Sequence, residues 1–239
     1  LEGKWGKAAG LGWVGKTTLL LNRRWGSYFF LAALLTDAVL EYDSPDDKGY
    51  CGTCTACLTA CPTQAFPKPF VLDANKCISY LTSEHRANID ESLSEQVGGW
   101  VFGCDVCQEV CPWNRKAERT TDEAMLARED LLNFDITAAL RLSDTEFRQR
   151  FRATALWRSK RRGLLRNALL VAGKTQREEL YPDICRLLAD EEPLLRSAAA
   201  WALSRFKRAD WQPLLTDRLV IETDSDVRVT LQSLLPECG

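Results

Sequence analysis

Eight of the ten cysteines in this 239-residue chain fall between Cys51 and Cys111, and thiolates at such spacing bind metal. Cys51, Cys54, Cys57 and Cys61-Pro62 have the spacing C-x2-C-x2-C-x3-C-P. That is the bacterial ferredoxin run for a [4Fe–4S] cluster, in which the fourth cysteine serves the other cluster of a pair. A second run, Cys104, Cys107 and Cys111-Pro112, has the same ending but carries Val101 where its first cysteine should stand. The lone Cys77 is the replacement, and eight thiolates then serve eight irons. The swap rule assigns Cys51, Cys54, Cys57 and Cys111 to one cluster. Cys61, Cys77, Cys104 and Cys107 go to the other. Each proline keeps the chain from continuing as helix after the swapped ligand. Structural zinc would use paired C-x2-C knuckles and has no need of the three-cysteine opening or the C-P endings. Disulfides would need an oxidising compartment, and no secretion signal is seen.

The rest of the chain must position these thiols. An apolar fraction of 46% and a charged fraction of 27% describe an ordinary globular chain, and its length allows one or two domains. No apolar run approaches the ~20 residues of a membrane span. A net charge of −2 argues against a uniformly basic nucleic-acid binder. The distribution is uneven, however. Nine Lys/Arg but only Asp144 and Glu146 lie between Arg141 and Arg166. The chain starts at Leu1 and has a single methionine, Met125, so it reads as a fragment whose start has been cut away.

Gly10 to Thr17 matches the phosphate-loop pattern G-x-x-x-x-G-K-[ST], but such a loop needs a strand before it and a helix after it. Residues 3–9 contain no apolar β-run, and Trp13 would crowd the cradle, so the match is read as accidental. A glycine-rich loop of this kind can still present backbone N–H groups to the rim of a large ligand, or simply pack tightly. Tyr28 to Leu35 reads as an apolar strand. Asp43 to Gly49 is turn-forming and marks the entry to the cysteine domain. Asp73 to Leu81 and Asn88 to Val97 read as short helices. His85, the only histidine, is read as a hydrogen-bonding residue rather than a ligand. Cys185 and Cys238, far from the runs, are read as ordinary cysteines.

After Arg119 the pattern turns helical. Similar apolar segments begin at Arg166, Arg196 and Arg228, the last two preceded by acid-rich turns. Stacked helix pairs have this signature, each burying its face on the next. Leu187, Leu188, Leu195, Ala199, Trp201, Leu203, Leu214, Leu215, Leu231 and Leu234 are the expected shared core. Arg158, Lys160, Arg161, Arg162 and Arg166 cover more than one helix face. With Trp157 beside them they read either as a solvated face or as a phosphate-backbone contact.

Together these parts resemble the epoxyqueuosine reductase family. The resemblance rests on residues 9–16, Gly26 to Phe30, the first cysteine run, Cys77 to Thr82, Phe102 to Gln108, Cys111 to Asn114 and the repeat tail. It implies an α+β protein in three parts. Residues 1–45 would be the C-terminal part of a cobalamin-binding α/β domain, 46–119 a ferredoxin-like domain with two [4Fe–4S] clusters, and 120–239 a HEAT-like helical repeat domain. It further implies a cytoplasmic, monomeric oxidoreductase that reduces epoxyqueuosine to queuosine at the wobble position of a tRNA with a GUN anticodon. An electron donor would feed the clusters, which relay to cobalamin. Gly15, Lys16, Thr17, Ser79 and Asp105 would lie near the corrin rim, and Arg158, Lys160, Arg161 and Arg162 would hold the tRNA. The family's catalytic acid is an aspartate just upstream of the segment matching Leu1-Glu2, so no catalytic residue is expected within this chain. Alone, the chain would be inactive. The rival readings are a reductive dehalogenase-like corrinoid enzyme acting on a small molecule, and a non-catalytic ferredoxin-type electron-transfer module.

Overall fold

The computed structural model describes residues 2–132 and 134–236, so Leu1 and Cys238 lie outside the described residues. The chain is mostly helical and divides into two compact units. One runs to Cys77 and takes up Asp105–Ala127. The other comprises Ile78–Cys104 and the chain from Arg128 onward.

In the first unit, α1 (Glu2–Ala8) leads into the hairpin of β1 (Trp13–Val14) and β2 (Leu20–Leu21), paired antiparallel with Trp13 opposite Leu21. Gly12 lies so close to Leu21 O that an added Cβ would sit 1.9 Å from it, hence glycine at this crossing. The phosphate-loop match at residues 10–17 therefore runs into a strand and a turn, with no helix behind it. Tyr28 to Leu35 forms no strand, contrary to the sequence expectation. Its apolar side chains include Phe30, Leu34 and Leu35 at 88%, 94% and 97% exposure, so no second sheet layer rewards the extended run with pairing or burial. Beyond it stands α2 (Ala56–Ala60).

The second unit opens with α3 (Ile78–Ser83) and α4 (Glu91–Val97), close to the two short helices read from sequence. Asp90 caps α4 by accepting from Ser92 N. Back in the first unit, α5 (Val106–Glu109) packs on α2. From Arg128 onward come α6 (Glu129–Leu132), α7 (Ile136–Leu140), α8 (Asp144–Phe151), α9 (Lys160–Thr175), α10 (Tyr181–Leu187), α11 (Pro193–Arg205), α12 (Trp211–Ile221) and α13 (Ser225–Leu234). A capping box between Ser143 and Glu146 starts α8, and Asp224 caps α13 through Asp226 N and Val227 N.

The stacking expected of the tail is present. Helix α11 packs between α9 and α13, with α10 and α12 alongside. Eight of the ten expected core residues are buried, and Leu214 and Leu234 pack partly buried against them. Full burial of a leucine is worth ~2 kcal/mol, so this shared layer is what holds the pairs together. Glu222 ties the layers by accepting from Arg196 and Arg218. No helix among the described residues is long and apolar enough to cross a membrane.

Candidate metal centre

The first cysteine run is a tight turn that feeds α2. Cys54 N donates to Cys51 O at 3.0 Å, and Gly52 takes the left-handed φ of 50° that a turn this tight requires. Cys57, in the first turn of α2, is buried, while Cys54 is exposed. Burial pushes the Cys57 thiol pKa up, and the neighbouring Cys51 and Cys111 thiols add to that shift. Cys51, from the first run, packs against the apolar cluster that contains Cys111 of the second.

Cys111 is buried with Trp13 and Leu21, and Tyr50, Cys51 and Trp113 pack around it. Trp13 meets Tyr50 and Trp113 edge-on, at centroid distances of 4.6 and 4.8 Å. Aromatic walls of this kind keep water from a metal–thiolate group, and solvent exposure is one of the levers on its potential. No two described cysteines are joined as a disulfide. Unlinked soft sulfurs, with Cys111 buried under an aromatic cover and Cys51 packed against it, are donors chemically suited to an iron–sulfur group.

The remaining thiols have local supports of their own. Cys61 Sγ accepts the Ala65 N–H at 3.3 Å. Such a bond stabilises a thiolate and tunes a cluster that it ligates. Cys77 follows a 3-10 turn, Ala74–Lys76, capped by Asp73. Cys107 sits in the first turn of α5, whereas Cys104 closes a segment of the second unit. Among the described residues, no three Cys, His, Asp or Glu side chains group as they would around a single ion.

The structure assigns Lys16, expected at a corrin rim, a definite task. Its ammonium donates to Gly52 O and Cys54 O, both at 2.8 Å, and so pins the carbonyls of the first cysteine turn. Gly15 and Thr17 flank it at the tip of the hairpin. Both are buried, and an added Cβ on Gly15 would meet Leu21 Cδ1 at 2.5 Å. Asp105 is exposed and accepts from Gln108 Nε2. Ser79, in the second unit, accepts from the Ser83 hydroxyl through its carbonyl.

Sequence reasoning gave no role to a polar knot beside the second run. Ser27 N donates to Asn114 Oδ1 at 2.7 Å, and Ser27 Oγ donates to Gln108 Oε1 at 2.8 Å. Asn114 Nδ2 reaches Gln108 O at 2.7 Å. Gly26, at φ 61°, leaves room for Asn114, since an added Cβ would lie 1.9 Å from its Oδ1. The signal was present in Gly26-Ser27 and in Cys111-Pro112-Trp113-Asn114, but nothing in the linear order joins them. Next to the knot, burial raises the Tyr28 pKa, with Asp105, Glu109, Cys107 and Cys111 adding negative potential.

The four basic residues assigned to tRNA differ in what else they do. Arg161 is mostly buried and committed to the fold, donating to Leu142 O at 2.7 Å and Asp190 at 3.1 Å. Arg158 is exposed and pairs with Glu84 at 2.6 Å, and Arg162 lies 3.7 Å from Glu192. Lys160 is exposed, at φ 60° and ψ 168°, a backbone region almost reserved for glycine. Its ammonium lies over Trp157, which stacks on Phe147. With Arg148 and Arg152 they line a basic hollow. His85 hydrogen-bonds with Asn88 O at 3.0 Å, as its reading required.

Known proteins can be set against this geometry. Residues 50–114 match the family model described as a 4Fe-4S double cluster binding domain, and residues 150–235 match HEAT repeats. The chain thus falls in the class of iron–sulfur proteins that carry a helical repeat module. It is a relative of the epoxyqueuosine reductases. It is 47% identical over 167 residues to that of Cyclobacterium marinum (70% of this chain, 53% of the relative). Against that of Escherichia coli K12 it is 39% identical over 205 residues (86% and 54%). A crystal structure of epoxyqueuosine reductase with a tRNA-Tyr epoxyqueuosine-modified stem loop superposes with a TM-score of 0.92 at 28% identity. That match covers 98% of this chain and 62% of the other. The chain spans about half the length of the curated relatives it matches.

Proposed function

We propose that this chain is the electron-supplying and substrate-docking part of an epoxyqueuosine reductase. The substrate is a tRNA with a GUN anticodon that carries epoxyqueuosine at its wobble position, and the product is queuosine. The epoxide takes up two electrons and two protons, becomes an alkene and releases its oxygen as water. Two [4Fe–4S] clusters pass the electrons. Cys51, Cys54, Cys57 and Cys111 hold one, and Cys61, Cys77, Cys104 and Cys107 hold the other. Cobalamin, when bound, supplies a low-valent metal reductant suited to opening an epoxide. Gly15, Lys16, Thr17, Ser79 and Asp105 are the residues of this chain for its rim. Lys16 combines that place with support of the first cysteine turn.

The functional partition is 1–45 for the corrin, 46–119 for the clusters and 120–239 for the repeats. The protein works in the cytoplasm as a monomer, fed by an external electron donor. Arg158, Lys160 and Arg162 present charge for the tRNA backbone, with Arg161 fixing the helix start beneath them. One observation carries the reading. Cys51 of the first run packs around the buried Cys111 of the second, which supports a domain whose paired clusters exchange a ligand.

The test is anaerobic purification of the full-length protein, with iron and sulfide counts and tRNA binding across a salt series. About eight irons per chain are expected from two four-iron clusters, with affinity that falls steeply with salt. A colourless or zinc-loaded protein refutes the cluster assignment. Salt-independent, negligible tRNA binding refutes the docking role and favours an electron-transfer module.

A further inference from the structure

The second unit contains a buried arginine whose partners are all neutral. Arg166 is 1% exposed, in the middle of the repeat core. A guanidinium has five N–H donors. Here Nε and one Nη2 bond go to Asn167 Oδ1, the Nη1 bonds go to His85 O and Ala87 O, and the other Nη2 bond goes to Leu81 O. Every donor is spent and no carboxylate is among the acceptors. Burial lowers the Arg166 pKa to about 10, so it remains charged at neutral pH. Such a group is costly to bury, and carbonyl partners offset that cost only if their segment is held in one geometry.

The segment so held is the one between two cysteines. Asn167, fully buried, donates through Nδ2 to Thr82 O and to Val101 O, both at 2.8 Å. Thr82, 1% exposed, then links the two ends of the segment through a single hydroxyl. It donates to Ile78 O at 2.7 Å and accepts the Gly103 N–H at 2.9 Å. Ile78 directly follows Cys77, and Gly103, at φ 72°, directly precedes Cys104. One oxygen atom therefore fixes the residue after one thiol relative to the residue before another. The Arg166–Asn167 pair on α9 fixes the helix that carries this oxygen.

We infer that Thr82, seated on Arg166 and Asn167, is the positioning residue for the cluster that Cys77 and Cys104 share. The repeat module thereby does more than offer a surface. Its first core helix sets the spacing of the displaced ligand. An ordinary ferredoxin run encodes that spacing within a few residues of chain. Here 26 residues separate Cys77 from Cys104, and a tertiary staple must replace the missing local constraint. This inference rests on the two-cluster reading above.

The test compares Thr82→Val, which keeps the shape and removes the hydroxyl, with Thr82→Ser, which keeps the hydroxyl and loses a methyl group. Iron release from the anaerobic full-length protein is followed under a chelator, with electron paramagnetic resonance of the reduced clusters. Thr82→Val is expected to release half of its iron at least tenfold faster than the unsubstituted protein and to lose one of the two cluster signals. Thr82→Ser is expected to follow the unsubstituted protein. A reversed ranking, equal loss from both variants, or unsubstituted release rates in Thr82→Val overturn the inference. If the unsubstituted protein itself holds no iron, the two-cluster reading fails instead.

Discussion

Replacing Glu222 with glutamine should loosen the last repeats, by an amount that can be worked from its surroundings. The Glu222 side chain has no exposed surface. One carboxylate oxygen accepts from Arg196 at 2.7 Å and from Thr223 N and Asp224 N at 3.0 and 2.9 Å. The other accepts from Arg196 Nε at 2.8 Å and Arg218 Nε at 2.9 Å. Arg196 leads the causes that hold the pKa down at about 2, against an ordinary 4.5, and burial opposes it. Each pKa unit is 1.36 kcal/mol of preference for the charged form, so the ionised group contributes roughly 3 kcal/mol at neutral pH. Because the folded pKa is depressed, this contribution is complete above about 4.5 and vanishes as pH falls through about 2. Glu222→Gln keeps the shape and leaves Arg196 buried without its counter-charge. Hydrogen exchange of the α11 and α13 amides in the intact protein reads the local opening energy. At pH 7 the variant should exchange on the order of a hundredfold faster. The gap should stay constant down to about pH 5 and narrow below 4.5. A change of less than fivefold, or a gap that widens as the pH falls, would refute the reasoning.

Two further outcomes follow from the first unit. Lys16→Met removes both bonds to the first cysteine turn, each a charge-assisted bond worth about 1.5 kcal/mol or less at a half-buried site. Chelator stripping should then take iron about tenfold faster, with Lys16→Arg intermediate, and an unchanged rate would show that the turn holds its shape unaided. Gly26→Ala forces a Cβ into Asn114 and an alanine into the left-handed region, which costs ~1–2 kcal/mol before any hydrogen bond breaks. The expected result is loss of the Ser27–Asn114 bonds, seen as a lowered melting temperature for the iron-loaded protein. An unshifted melt would mean that the knot is dispensable.

The cysteine spacing, the three repeat starts and the expected core were legible in the sequence because each is a local periodicity. A cysteine run, an apolar helix face and an acid-rich turn each show within a few residues of chain. Tyr28 to Leu35 misled because apolar residues at strand spacing form a strand only when a neighbouring strand pairs with them, and pairing is not local. The differing surroundings of the basic residues were hidden for the same reason. Sequence counts Arg161 and Arg158 alike, yet the fold buries Arg161 against Leu142 and Asp190 and leaves Arg158 exposed.

What the sequence by itself determined about this protein is therefore a run of thiols spaced as in an iron–sulfur domain and a helical stack after it. What only the tertiary structure decided is how distant residues meet. Lys16 finds the carbonyls of Gly52 and Cys54, Asn114 finds Ser27, and Thr82 joins the flanks of Cys77 and Cys104. The physical reason is that a hydrogen bond is satisfied by whichever partner folding brings to about 3 Å, and chain order does not carry that distance.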